Sequence, residues 1–204
     1  MFSKAVEWDL LILSPFKDVR YLRVPNHIER VLTPDEEQKL LSACGQVRTR
    51  YLCDVITLAL NTGMRKSELL GLEWSQIDLD NRRIRLLNGK SKSAERIIPM
   101  NGKVHALFSN LAQTRDSELV FSSYRKIGAR VSDLKKGFRT AVRLAGIKHV
   151  RFHDLRHTSA TRLVQAGVDL ITVQQLLGHA RITMTARYAH SASDTKIAAV
   201  ARLD

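Results

Sequence analysis

The period of this sequence changes once and then changes back. From Ile77 to Met100 apolar and polar residues alternate, whereas on either side apolar residues recur at helical spacing between glycines. Ile77, Leu79, Ile84 and Leu86 give two strands around an Asp80-Asn81 turn. Asn88-Gly89 opens a second turn, and Arg96 to Met100 supplies a third short strand. The expected class is α+β: mainly α-helical, with a small three-stranded antiparallel sheet. Its hairpin tip, Lys90 to Lys92, is rich in lysine.

The flanking helices are punctuated by local chemistry. Thr33-Pro34-Asp35-Glu36 is a capping box with proline at the first helical position, and the helix it starts is expected to reach about Ala43 before Gly45. Tyr51 to about Asn61 places Leu52, Val55, Ile56, Ala59 and Leu60 on one face, and Gly63 ends it. Lys66 to Leu70 is a third helix before Gly71. After the sheet, helices are expected over Val104 to Leu111, Ser132 to Leu144, Asp154 to Gln165, Leu170 to Leu177 and Thr183 to His190. Gly146, Gly167 and Gly178 are stops, and Asp169 is a cap.

Charge narrows the partner. The 204 residues include 33 Lys and Arg against 20 Asp and Glu, a net charge of +13 that calls for a polyanion, most commonly nucleic acid. No apolar run approaches the roughly 20 residues of a membrane helix, and Leu10 to Leu13 is too short for a signal peptide. Cys44 and Cys53 belong to no CxxC pair and read as buried free thiols of a cytosolic chain. Met1 to Trp8 reads as the end of a helix, and the mixed-charge text around Pro25 as a linker, which suggests a piece of a longer protein.

Residues suited to phosphodiester chemistry crowd into Arg151 to His190. Cleavage without a metal needs a nucleophile, cations around the nonbridging oxygens and an acid for the leaving oxygen. Arginine suits the oxygens because its planar fork binds two of them and stays charged. On a helix, His153 shares a face with both Arg156 and His157. The same pair of histidines has zinc spacing, but a zincin needs Glu where Asp154 stands, and a third ligand is not evident. His179, just past the Gly178 stop, also fits a helix C-cap, and a lone Tyr188 also fits a core.

The segments Thr62-Gly63-Met64-Arg65-Lys66-Ser67-Glu68-Leu69, His153-Asp154-Leu155-Arg156-His157-Thr158 and Leu177-Gly178-His179, followed by Tyr188, resemble the tyrosine recombinase, or phage integrase, family over roughly Leu32 to Ser191. The resemblance implies a DNA breaking-rejoining catalytic fold and site-specific recombination. In it Arg65 and Arg156 would grip the scissile phosphate, with Glu68 behind the first arginine. His153 would hydrogen-bond the phosphate and help move the tyrosine proton, and His179 would contact a nonbridging oxygen. Tyr188 would attack, leaving a 3′-phosphotyrosine and a free 5′-hydroxyl, and a hairpin lysine would protonate the leaving oxygen. Lys90 is favoured for that role over Lys92, and Lys66 and Lys92 are expected to touch DNA. His157 and His190 match frequent family positions and are given no catalytic role; Asp154 is expected to cap or orient and Thr158 to pack.

The resemblance also implies an organisation. Residues 1–30 would be the end of a core-binding domain and its linker, 31–191 the catalytic domain, and 192–204 a tail packing on a neighbouring protomer. No cofactor or metal is expected. The expected partners are double-stranded DNA, protomers forming a tetramer on it from a solution monomer, and accessory DNA-bending or directionality factors. No membrane is expected, and the location is cytoplasmic and nucleoid-associated. Two rivals stay open at this point. A type IB topoisomerase shares the chemistry and relaxes supercoils without a specific site, and an inactive DNA-binding module would keep the residues without the geometry.

Overall fold

In the computed structural model of the chain the described residues are 2–19, 30–86, 95–123, 128–131 and 133–191, with the side chains of His190 and Ser191 outside that set. The tail over 192–204, the Asn88-Gly89 turn, Lys90, Lys92 and the side chain of His190 therefore lie outside the described residues.

The helices before the sheet are α1 (Phe2–Glu7), α2 (Pro34–Cys44), α3 (Leu52–Thr62) and α4 (Lys66–Leu70). None of the residues of α1 is buried. The capping box predicted for α2 forms: Glu36 N donates to Thr33 Oγ1 at 3.2 Å and Thr33 N donates to Glu36 Oε2 at 3.0 Å. In α3 the predicted apolar face is fully buried, from Leu52 through Val55, Ile56 and Ala59 to Leu60. Cys53, on the opposite side, is exposed, which corrects the expectation of two buried thiols; only Cys44 is buried. Burial pushes the Cys44 thiol up to about 12, so it is protonated and inert as a nucleophile at neutral pH.

A 3-10 turn (Trp74–Gln76) leads into β1 (Ile77–Asp78), β2 (Arg83–Leu86) and β3 (Arg96–Pro99), an antiparallel sheet in sequence order. Ile77 pairs with Ile84, Ile84 with Ile98 and Leu86 with Arg96. The period of two sets the faces: Ile84, Leu86, Ile98 and Met100 are buried while Ile97 is 51% exposed. Arg96 has the same parity as Ile98 and Met100, so its side chain points inward.

After the sheet come α5 (Gly102–Gln113), α6 (Lys135–Leu144), α7 (Phe152–Gln165), α8 (Leu170–Leu177) and α9 (Thr183–Ala186), and a closing 3-10 turn (Arg187–Ser191). Three starts differ from expectation by two residues or more, the first being α5, which begins at Gly102, not Val104. Helix α6 begins at Lys135, not Ser132. Helix α7 begins at Phe152, not Asp154, because Asp154 acts three positions in: its carboxylate accepts from Arg151 N at 2.7 Å. The segment expected to be one helix from Thr183 to His190 tightens into a 3-10 turn from Arg187.

The main core lies between α3, α5, α6, the inner sheet face and Leu155 of α7, with Phe108 and Phe121 wholly buried. A smaller cluster joins Ala160 and Val164 of α7 to Val173 and Leu177 of α8 and to Tyr188. Thr158 stitches the chain entry to α7, accepting from Leu32 N at 3.0 Å and donating to Asp154 O at 2.8 Å.

Gly63 couples the two clusters. It ends α3 at φ +63°, and a Cβ there would lie 2.5 Å from Leu177 Cδ2. Gly63→Ala combines left-handed strain with overpacking, and is expected to cost roughly 2–4 kcal/mol. Urea unfolding should show a lower midpoint at unchanged slope.

Candidate functional site

The site is built on the C-terminal end of α8. Asp169 starts that helix, its carboxylate accepting from Ile171 N at 3.0 Å and Thr172 N at 2.8 Å. Gly178 ends it at φ +66°. Gly178 N donates to Gln175 O and His179 N to Gln174 O, both at 3.1 Å, the paired bonds of a Schellman turn. A helix end leaves its last four carbonyls without intrahelical donors, and this turn satisfies two of them.

Arginines take the next three carbonyls, each from a different element. Arg96 Nε of β3 donates to Leu176 O at 2.7 Å. Arg156 Nη2 of α7 donates to Leu177 O at 2.7 Å. Arg65 Nη2, from the residue capping α4, donates to Gly178 O at 3.0 Å. The negative end of the helix dipole favours all three cations there.

Glu68 ties two of these arginines together. Its Oε1 accepts from Arg65 Nη1 at 2.9 Å and its Oε2 from Arg65 N at 2.8 Å. Arg96 grips the same carboxylate, Nη2 to Oε2 at 2.9 Å and Nη1 to Oε1 at 3.2 Å. Burial alone would raise the Glu68 pKa, but the Arg96 hydrogen bonds and charge, with those of Arg65, hold it below the ordinary range. Arg156 is 3% exposed, and its Nη1 also donates to Gly63 O at 2.6 Å. Burial, then the charges of Arg65 and Arg96, bring it down to about 10, still protonated at neutral pH. Three guanidiniums stand against one carboxylate, which bonds only Arg65 and Arg96, so the cluster keeps a positive charge available to an anion. The Arg65 side chain, 35% exposed, is the most open of the three.

The nucleophile candidate lies alongside. Tyr188 sits in the closing 3-10 turn, 2% exposed, with its hydroxyl 2.8 Å from His157 Nδ1. The His179 ring lies nearly parallel to it, at 6.5 Å and 11°. Buried Thr185, one turn before the tyrosine, places Oγ1 2.9 Å from His179 Nδ1. That bond leaves the other ring nitrogen of His179 to meet a ligand. Burial and the charges of Arg156 and Arg65 push His179 down to about 3, so its imidazole is neutral. His153 is exposed at the rim, its ring edge-on to His157 at 4.6 Å. Its pKa is lowered by desolvation and then by His157 and Arg156.

Arg65, Glu68, Arg156, His179 and Tyr188 thus converge, with His153 at the edge. Lys66 stands apart, an exposed residue paired with Asp133 at 2.9 Å. Lys90 and Lys92 are outside the described residues, although Leu86 and Arg96, on either side of their segment, pair in the sheet. Three participants were not among the sequence candidates. Arg96 had a signal, a charged residue on the inward parity of β3. Thr185 had none, and His157 was marked only by its family position and the face it shares with His153, because the contacts of both depend on how the last turn folds back. The assembly can hold a tetrahedral oxyanion between arginines and present a phenol to it.

Two outcomes follow. His179 is unprotonated in the fold below its ordinary 6.5 and down to about 3. Across that window the unfolded chain binds a proton that the folded chain refuses, so stability falls as pH falls and is unaffected above it. His153 and His157, lowered in the same direction, add to the slope. Urea midpoints at pH 7 and pH 4.5 should differ, and by less in His179→Gln. Second, Glu68→Leu and Arg96→Leu should each cost about 2–4 kcal/mol by stranding a charge. The double variant should cost less than their sum by on the order of 1–3 kcal/mol in a double-mutant cycle.

The chain is similar to known proteins over most of its length. The phage integrase family model matches residues 30–195. The integrase of Salmonella phage P22 is 33% identical over 197 residues, covering 91% of this chain and 49% of its own length, so the chain spans about half of that relative. The structure of the Tn1549 transposon integrase in complex with a circular intermediate DNA superposes with a TM-score of 0.77 at 27% identity, over 100% of this chain and 75% of that one. The catalytic domain of bacteriophage HP1 integrase gives a TM-score of 0.66 at 30% identity, over 85% of this chain and 94% of that one. Both neighbours share the mainly helical fold with a small antiparallel sheet. With that family model matching residues 30–195, most of its length, the chain belongs to the phage integrase family.

Proposed function

We propose that this chain is the catalytic domain of a site-specific DNA recombinase that cuts and rejoins strands through a 3′-phosphotyrosine on Tyr188. The observation that carries the reading is the convergence of Arg65, Arg156, His179 and Tyr188 at the end of α8. Residues 31–191 form the catalytic unit. The Tn1549 relative with bound DNA, and the net charge of +13, support DNA as the substrate.

Arg65 and Arg156 hold the nonbridging oxygens and stabilise the charge of the pentacoordinate transition state. His179, neutral, donates a hydrogen bond to one of those oxygens, and His153 contacts the phosphate from the rim. Glu68 keeps Arg65 in place. Lys90, favoured over Lys92, gives the proton to the departing 5′ oxygen, and Lys66 and Lys92 contact DNA. The phosphotyrosine ester conserves the energy of the broken bond, so rejoining needs no nucleotide cofactor. Protomers assemble on DNA as a tetramer, with accessory DNA-bending or directionality factors. The integrase relatives favour this over site-independent relaxation of a type IB topoisomerase.

The test is covalent capture. The chain is incubated with nicked duplexes of randomised sequence, and adducts that survive detergent are sequenced. Adducts concentrated on a common sequence, with the 3′ phosphate on Tyr188, are expected. Tyr188→Phe should abolish them, and Arg65→Ala or Arg156→Ala should slow them on the order of 100-fold or more. An adduct persisting in Tyr188→Phe would sink the nucleophile, and relaxation of a plasmid lacking the captured sequence would favour the topoisomerase. On a duplex with a 5′-bridging thiolate, which leaves unaided, the lysine variant that lacks the proton donor should be rescued.

A further inference from the structure

The reaction needs somewhere for the tyrosine proton to go. A phenol has an unperturbed pKa near 10, so at neutral pH it must be deprotonated as it attacks. His153, the family residue for the proton, is exposed and meets the site through the ring of His157. His157 is 6% exposed, with Nδ1 2.8 Å from the Tyr188 hydroxyl. That is hydrogen-bond reach between two buried groups, one of them the nucleophile.

We propose that His157 is a catalytic residue, the base that receives the phenolic proton of Tyr188 during strand cleavage. The proposal rests on the recombinase reading above. In the step, the Tyr188 O–H bond breaks as its oxygen bonds phosphorus and the bond from phosphorus to the 5′ oxygen breaks. The proton passes to His157 Nδ1, making an imidazolium, and the 5′ oxygen takes a proton from the separate donor, the hairpin lysine. In rejoining, the 5′-hydroxyl attacks phosphorus and returns its proton to the lysine. The phosphotyrosine bond breaks, and the imidazolium gives its proton back to the phenolate.

The surroundings suit a base that is neutral at rest. Around the imidazole stand Asp154, Arg151, His153 and Arg156 of α7 and its cap, and Arg187 and Tyr188 of the closing turn. Burial is the largest influence and lowers the His157 pKa, the Asp154 charge opposes it, and Arg187, Arg151 and Arg156 lower it further. The net direction is down, which keeps the ring neutral at rest, and with its one proton on Nε2 its Nδ1 accepts from the Tyr188 hydroxyl. Asp154, fully buried one turn before Thr158, supplies the counter-charge once the imidazolium forms.

Two measurements decide the matter. The first needs no DNA: nitrogen-15 NMR of histidine-labelled chain at pH 7 should show His157 with an unprotonated, hydrogen-bonded Nδ1 that shifts in Tyr188→Phe. The second is single-turnover adduct formation on the captured duplex against pH. In the wild type the rate should fall on the acid side as His157 protonates. His157→Gln should lose that limb and react on the order of 100-fold more slowly with duplex affinity unchanged. His153→Gln should keep the limb. A protonated Nδ1 in the free chain, an acid limb absent from the wild type or intact in His157→Gln, or a His157→Gln rate within a few fold of wild type would each overturn the proposal. If the wild type forms no adduct on any duplex, the recombinase reading fails, and the NMR result still decides whether His157 accepts from Tyr188.

Discussion

The site depends on the row of carbonyls at the end of α8. Two are closed by the Schellman turn, and the three that follow, at Leu176, Leu177 and Gly178, are closed by Arg96, Arg156 and Arg65. Helix-end carbonyls must find donors, and water is the usual source. Here the donors come from β3, α7 and the α4 cap, so one backbone requirement draws three distant elements to one place. Gly63 and Gly178 make the approach possible. The first ends α3 against the Leu177 side chain, and the second turns the chain so that His179 follows directly.

Concentrating guanidiniums in a partly dry place has an electrostatic consequence. Burial, and after it the neighbouring cations, disfavours charge on the groups there, which is why His179 and His157 are held neutral and even Arg156 is lowered to about 10. One carboxylate, Glu68, offsets part of the repulsion and fixes two of the cations in space. The fold thereby keeps donors aimed and unneutralised where an incoming anion would reward them, a stability cost of the kind that functional sites carry.

What could be read from sequence was local. Helices α4 and α8 have the bounds that glycine stops and an aspartate cap announce, and the α2 capping box forms as its four residues indicate. Where the deciding partner was distant, the text was silent. The start of α7 moved because Asp154 works as an inner capping residue, and Cys53 proved exposed because α3 turns that side outward. Helical spacing put His153 and His157 on one face but could not rank their depth. Arg96 reaches Glu68 and Leu176 across 28 and 80 residues, a closeness that only the assembled sheet creates.

The same row of carbonyls says what α8 must preserve. Its contacts with the three arginines use main-chain oxygens, so its side chains bear on the cluster only indirectly, through buried Val173 and Leu177, through Leu170 packed beside them, and through Gln174, whose amide donates to His179 O at 3.0 Å. Its length bears on the cluster directly. Inserting or removing one residue before Gly178 would rotate the last carbonyls by about 100° around the axis and shift them by about 1.5 Å along it. Each arginine would then face the wrong oxygen at once. Helix α8 behaves as a gauge block, strict above all in register.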